Sequence, residues 1–164
     1  MCFNRRIKII TVKGLSILKK KIVLASDHAA SDFIQDISAH LKASGYETEV
    51  IVGESAFSYS EAADKVVARV LADENVLGVA CCGTGIGISM RVNRHKGIRG
   101  TLIHDAFTAE MAALHSNANV VCMGSRVITS TKACELLDIV LNTPFEGGRH
   151  IPRLEQLDAP TGEK

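Results

Sequence analysis

From Lys21 onward, short apolar runs alternate with longer stretches of helical spacing. IVLAS, residues 22–26, is a β-rich apolar run, and SDFIQDISAHLKASG follows with Phe33, Ile34, Ile37 and Leu41 on one helical face and Gly45 as a stop. That unit reads strand, then helix. ETEVIV, residues 47–52, opens the next unit. After a loop, SEAADKVVARVLADE sets Ala63, Val66, Val67, Val70 and Leu71 on a buried face, with Ser60 as its cap. VLGVACC, residues 76–82, is a continuous apolar run of the kind covered on both faces, and a helix from about Ile86 to Arg94 follows its glycines. GTLIH, residues 100–104, precedes a helix capped by Asp105, and NVVCMG, residues 119–124, precedes one that starts near Ser130. Five strands alternating with helices predict a mostly parallel sheet with helices on both faces, joined by right-handed crossovers.

In such a sheet, ligands bind beyond the carboxyl ends of the strands. There the chain places Ser26-Asp27-His28, Cys82-Gly83-Thr84-Gly85-Ile86-Gly87, His104-Asp105 and Gly124-Ser125-Arg126. The glycine turn in ACCGTGIGISM is open to several readings. A dinucleotide fingerprint needs a third glycine where Ile88 stands, although Asp105 lies at the distance of a ribose-binding acid. A phosphatase-like cysteine loop needs an arginine a few residues on, and the first is Arg91, inside the helix. An anion cradle uses the backbone N–H groups of Gly83 to Gly87 at a helix start to hold negative charge developing on a substrate. Tight helix-to-strand packing explains the glycines alone but not the neighbouring Cys82. A thiol beside a helix N-terminus is favoured as thiolate, hence as base or nucleophile. Strand alternation points only one of Cys81 and Cys82 at a given face, and Cys82 stands at the lip of the turn. Cys81, Cys122 and Cys134 read as core residues.

The length of 164 residues suits one domain, and 46% hydrophobic with 23% charged residues is an ordinary globular composition. The formal charge of +1 is unevenly spread. Arg5, Arg6, Lys8, Lys13, Lys19, Lys20 and Lys21 meet no acid within the first 21 residues, and the other 12 basic residues face 18 acidic ones. A body at −6 argues against a nucleic-acid surface. Residues 1–20 read as a basic extension outside the fold, with residues 21–160 as the single domain. Lys13 splits the apolar stretches IITV and GLSIL, so neither forms a signal-peptide core or a membrane span. An upstream translational start would account for the extension better than a mitochondrial presequence, which is usually richer in Ser and Arg. Five cysteines without a CxxC pair suit a reducing cytoplasm and offer no zinc spacing.

DHAA, CCGTGIGISM with NRHKGIRG behind it, LHSNANV, GSRV and FEGGRHIPRL run in the order and spacing of the type B ribose-5-phosphate isomerases, a family that also holds the galactose-6-phosphate isomerase subunits. The chain resembles that family from about Lys21 to about Leu157. The resemblance implies a three-layer α/β/α sandwich around a five-stranded, mostly parallel, Rossmann-like sheet. It also implies a homodimer or tetramer of dimers with active sites between subunits, and neither metal nor cofactor. The implied reaction interconverts ribose 5-phosphate and ribulose 5-phosphate through an enediolate, as in the pentose phosphate pathway. Cys82 matches the family's base; one branch uses a glutamate six positions later, where this chain has Ile88. Thr84 matches a proton shuttle between the two oxygens, and His115 the ring-opening acid and base, work suited to an imidazole near neutral pH. The implied substrate-binding residues are Asp27, His28, Tyr59, Gly83, Gly85, Ile86, Gly87, Ser116, Asn117, Arg126, Arg149 and Arg153. Arg149 and Arg153, four apart, share a face for one phosphate if the stretch after Gly148 is helical. His150 reads as a supporting residue, and His40 and His95 as surface residues.

Two departures bear on specificity. Ser116 replaces the family's asparagine after the ring-opening histidine, with Asn117 next in line. Ser58-Tyr59-Ser60 replaces Asp-Tyr-Pro. Two classes of function follow: an active isomerase of ribose 5-phosphate or of a tetrose or galactose phosphate, and a noncatalytic sugar-phosphate-binding subunit. The presence of Cys82, Thr84 and His115 together favours the enzyme.

Overall fold

The computed structural model describes residues 21–51 and 58–159; the basic extension expected over residues 1–20 lies outside them. The chain runs β1 (Lys21–Ser26), a 3-10 turn (His28–Ala30), α1 (Ser31–Ala43), β2 (Glu47–Ile51), α2 (Tyr59–Ala72), β3 (Val76–Cys82), α3 (Ile86–Val92), β4 (Gly100–Leu102), α4 (Ala106–Leu114), β5 (Val120–Gly124), α5 (Ser130–Asn142), a second 3-10 turn (Gly148–His150) and α6 (Ile151–Asp158). The strands form one sheet in the order β2-β1-β3-β5-β4, and every pairing is parallel.

The period of two along the strands divides the core into two layers. Ile22, Leu24, Leu77, Val79, Cys81, Val121 and Met123 pack with residues of α1, α4 and α5. Val23, Ala25, Ala80, Cys82, Val120 and Cys122 pack on the other face with residues of α2 and α3. Adjacent cysteines therefore point into opposite layers. From β1 the chain crosses first to β2 on one side and later to β3 on the other, so the order reverses between β1 and β3. That reversal opens a crevice at their carboxyl ends.

The expected face of α1 is buried, and Gly45 ends it with φ 89°. The start of α2 differs from expectation. Ser58, not Ser60, is the cap: its Oγ accepts from the Glu61 N–H at 3.2 Å, and its N–H donates to Glu61 Oε2 at 2.9 Å. The S-x-x-E spacing begins at Ser58, and only a cap there lets both bonds form. One consequence is that Ala62 joins Ala63, Val66, Val67 and Val70 inside, whereas Leu71, expected inside, is 53% exposed. β4 and α3 are shorter than the sequence suggests, although Ile103 still donates to Cys122 O at 3.0 Å. Asp105 caps α4 as expected, accepting from Thr108 N–H at 2.7 Å.

The two helices of the second layer are clamped together. Arg91 of α3 makes a bidentate pair with Asp64 of α2, 2.7 Å on each arm, and His95 Nε2 sits 2.9 Å from the same carboxylate. His95 is thus a half-buried partner rather than a free surface residue. His40 is likewise paired, 2.9 Å from Asp138, which ties α1 to α5.

The Arg91 hydrogen bond holds the Asp64 carboxyl below its ordinary range; desolvation opposes this, and His95 adds to it. The folded state therefore binds this proton less tightly than the unfolded chain, so the stabilisation is present at neutral pH and is lost as pH falls through the carboxylate range. Asp64→Asn is expected to lower stability at pH 7 by at most about 1 kcal/mol, because the pair is substantially exposed. The difference from the parent, measured by urea unfolding, should shrink towards zero below about pH 4. A second expectation concerns Gly124, where a Cβ would lie 2.4 Å from the Thr84 carbonyl carbon. Gly124→Ala should cost about 1–3 kcal/mol, read from the shift in urea midpoint.

Candidate active site

Cys82 is the last residue of β3 and is 5% exposed. Its Sγ accepts the Gly85 N–H at 3.1 Å, so the turn after the strand folds back onto the thiol. Gly85 enters α3 with φ 78°, a conformation that favours glycine, and a Cβ there would sit 2.8 Å from the Met123 carbonyl carbon. The glycines thus bring the turn down onto the end of β5. Arg126 N–H donates to Gly83 O at 2.9 Å and Ser125 N–H to Cys82 O at 3.0 Å. Ser125 Oγ donates to Ala29 O at 2.8 Å. The loops after β1, β3 and β5 are stitched into one rim.

That rim surrounds a cavity of about 300 Å³ lined by Asp27, His28, Ala29, Tyr59, Cys82, Gly83, Thr84, Gly87 and Arg126. Asp27 is 8% exposed, and its Oδ1 accepts from the Ala29 N–H at 3.0 Å, which fixes the turn that presents His28. The Tyr59 ring lies where a Cβ on Gly87 would approach it to 3.0 Å, and the Arg126 guanidinium lies over Gly83. Of the other turn residues named from the sequence, Gly85 is buried beneath the wall and Ile86 faces outward, 54% exposed. Ile88 is fully buried in the core. Two readings of the turn lose their residues: Asp105 is spent capping α4, and Arg91 is spent on Asp64.

Burial pushes the Cys81 thiol well up, with Cys122 and Cys82 adding to the effect. Burial likewise pushes up the Cys122 thiol and, together with Asp138 and Asp36, the half-buried Cys134 thiol. Cys81 and Cys122 are the core residues expected, while Cys134 is only partly buried.

The remaining named residues lie at the other end of the sheet. His115 terminates α4, and Ser116 and Asn117 lead to the start of β5. Arg149 sits in the second 3-10 turn and Arg153 in the first turn of α6, so the stretch after Gly148 is helical. β5 separates its own two ends by about 13 Å at roughly 3.3 Å per residue. His115, Ser116, Asn117, Arg149 and Arg153 consequently do not line the cavity that holds Cys82 within one chain.

This second cluster is itself organised. The His115 and His150 rings stack with centroids 4.2 Å apart and planes 18° apart. Glu146 Oε2 lies 3.6 Å from His115 Nε2 and 3.4 Å from His150 Nε2. Arg99, missed in the sequence, donates to Asn117 O at 3.0 Å and to Asp158 Oδ2 at 2.9 Å, tying this loop to α6. Asn117 has φ 42°, the one positive value at a non-glycine residue among those described. The His115, Glu146 and His150 ligand atoms all fall within 4.8 Å of one another. Among the described residues, no helix is long and apolar enough to cross a membrane.

Comparison with known proteins places this arrangement. The family model described as Ribose/Galactose Isomerase matches residues 22–157. A probable ribose-5-phosphate isomerase B from Mycoplasma genitalium is 35% identical over 144 residues, covering 83% of this chain and 92% of that protein. The ribose-5-phosphate isomerase B of Escherichia coli is 33% identical over 145 residues, covering 85% and 95%. Among solved structures, the Thermotoga maritima ribose 5-phosphate isomerase superposes with TM-score 0.80 at 38% identity, covering 84% and 97%. The Mycoplasma genitalium ribose-5-phosphate isomerase B, solved with bound ribulose-5-phosphate, also gives TM-score 0.80, at 33% identity, covering 84% and 93%. With a third strand that ends in Cys82, a glycine turn behind it and a family match over residues 22–157, the chain belongs to the ribose/galactose isomerase family.

Proposed function

We propose that the protein is an aldose-ketose isomerase that interconverts ribose 5-phosphate and ribulose 5-phosphate, a step of pentose phosphate metabolism. The observation that carries this reading is Cys82: a sulfur at the carboxyl end of β3, faced by a backbone N–H and opening on a cavity sized for a small sugar phosphate. Relatives named for this reaction, one of them solved with ribulose-5-phosphate, support the choice of substrate.

In the open-chain aldose, the C2 proton is acidic because its electron pair can move into the C1 carbonyl. Cys82 Sγ takes that proton, and the N–H groups at the start of α3 face the enediolate oxygen. The Thr84 hydroxyl, exposed on the same turn, moves a proton from O2 to O1. Return of the carbon-bound proton to C1 leaves the ketose. Ile88 lies fully inside the core at the position of the alternative glutamate, which leaves the base role to Cys82. His28 and Asp27 meet the sugar hydroxyls beside Tyr59.

Ring opening and phosphate capture need His115, Arg149 and Arg153, which lie at the far end of the same chain. A second copy completes the site. Two antiparallel copies around a two-fold axis bring the His115 end of each to the Cys82 end of the other. The surface beside the glycine turn is fitted to such a contact: Ile86 and Met90 stand one turn apart on α3, 54% and 59% exposed, and Phe107 on α4 is 70% exposed. Arg126 then holds the phosphate from the cysteine side, and Arg149 and Arg153 hold it from the partner's side. Ser116 and Asn117 enter the same composite site from the partner. The cytoplasm is the compartment that fits, since all four described cysteines are free.

Cys82→Ala is expected to lower kcat for ribose 5-phosphate by about 10²–10⁴-fold. Binding of a nonreactive sugar phosphate, measured by calorimetry, should change little; full turnover by the variant would remove the base from this residue. The composite site makes a separate expectation. Cys82→Ala and His115→Ala should each be nearly inactive alone. Equal mixtures co-folded together should recover about one quarter of parental activity, because half the dimers carry one intact site. No recovery in a mixture shown to exchange subunits would place both groups in one chain's site.

A further inference from the structure

Outside the cysteine cavity, Glu146 sits with His115 and His150 in a group whose ligand atoms all lie within 4.8 Å of one another. Its backbone N–H donates to Leu114 O at 2.9 Å, which anchors it to the last residue of α4, one position before His115. From this anchor its Oε2 lies near Nε2 of both stacked imidazoles, at 3.6 Å for His115 and 3.4 Å for His150. Oε1 lies 3.9 Å from Arg149 Nε.

The hydrogen-bond inventory makes the two rings unequal. Arg149 Nε–H donates to His150 Nε2 at 3.3 Å. A ring nitrogen whose lone pair is engaged in this way carries no proton, and an ionised carboxylate accepts protons in hydrogen bonds but has none to give. Glu146 lies 3.6 Å from His115 Nε2, beyond direct hydrogen-bond distance, and therefore favours a proton there through the charge of its carboxylate. His150, 4% exposed, is held in the opposite sense by Arg149, and the stack at 4.2 Å keeps the two rings in register.

We propose that Glu146 is a positioning residue for ring opening, with its carboxylate keeping the exchangeable proton of His115 on Nε2 while Arg149 holds His150 with Nε2 unprotonated. This rests on the ring-opening role given above to His115. Glu146 and Arg149 act on the proton's location and on ring orientation, and the chemistry stays with His115. Second partners of this kind fix the tautomer of a working imidazole in many sites.

The test uses the full chain with ¹⁵N-labelled histidine, because the nitrogen shifts report which ring atom bears the proton. The unsubstituted protein should show His115 protonated at Nε2 and His150 at Nδ1 near neutral pH. In Glu146→Ala the His115 signal should move towards a tautomer mixture, while the His28 signal stays in place. Ribose 5-phosphate kcat should fall at least about tenfold, with KM changed less than about twofold. Glu146→Asp should recover part of both. The side chain is exposed and its anchoring bond belongs to the backbone, so folding should survive. Should the alanine variant nevertheless fail to fold, the spectrum of the unsubstituted protein still decides: His115 protonated at Nδ1 alone overturns the proposal. So does an unchanged His115 spectrum in Glu146→Ala, or unchanged kcat in that variant when His115→Ala is inactive. If His115→Ala itself turns over normally, the ring-opening role falls, and the tautomer measurement separately reports what Glu146 does.

Discussion

Everything at the reactive end depends on how closely the turn after β3 lies on the end of β5. Gly124 closes β5 directly under the Thr84 peptide, and Gly85 crosses above the Met123 carbonyl. A side chain at either place would lift the turn by the thickness of a methyl group. The N–H of Gly85 would then leave the Cys82 sulfur, and the start of α3 would no longer point into the cavity. The glycines are steric requirements first, and the electrostatics of the site follow from them. The loop after β5 locks onto the same turn through the Ser125 and Arg126 N–H groups, and the Ser125 hydroxyl ties it to Ala29 after β1, so hydrogen bonds join the three loops of the cavity wall.

The parallel sheet explains why these loops meet. Strands buried on both faces can be supplied only by crossovers, and crossovers bring every strand's carboxyl end to the same edge. The reversal of strand order between β1 and β3 leaves a gap in the helical cover there, and Cys82 and Asp27 stand on its two sides. The same alternation that sends Cys82 towards α2 and α3 sends Cys81 into the opposite layer, where burial keeps it a thiol.

Much of this was legible in the chain. Continuous apolar runs gave the strands, and helical spacing gave the buried faces of α1 and α2, because burial on a parallel sheet leaves a strong periodic record. Helical spacing alone points to a cap at Ser60, whereas the pattern Ser58-Tyr59-Ser60-Glu61 contains the reciprocal cap, a signal that lies in the fourth residue rather than the first. Leu71 was placed inside because leucine is apolar, but its angle on the helix carries it past the face that Val70 closes. Cys82, Thr84 and Arg126 could be brought together from strand order alone. The separation of His115 from Cys82 could not be read from motif order, since it depends on α4 running back along the sheet. Glu146 and Arg99 were invisible for a related reason: their partners lie on loops that only the folded chain brings near.

The two ends of β5 carry different consequences. One end holds Cys82, Thr84 and Arg126, and the other holds His115, Arg149 and Arg153, to which the proposed reaction assigns proton transfer, ring opening and phosphate binding. On the proposed reading, a monomer folded to the last hydrogen bond would still possess two half-sites at opposite ends of that strand. With the composite site proposed above, turnover becomes a property of association, with a dependence on protein concentration that no measure of secondary structure would reveal. In that proposed dimer, a small molecule bound at the exposed Phe107 and Met90 would silence the chemistry without touching a reacting group or unfolding a single strand.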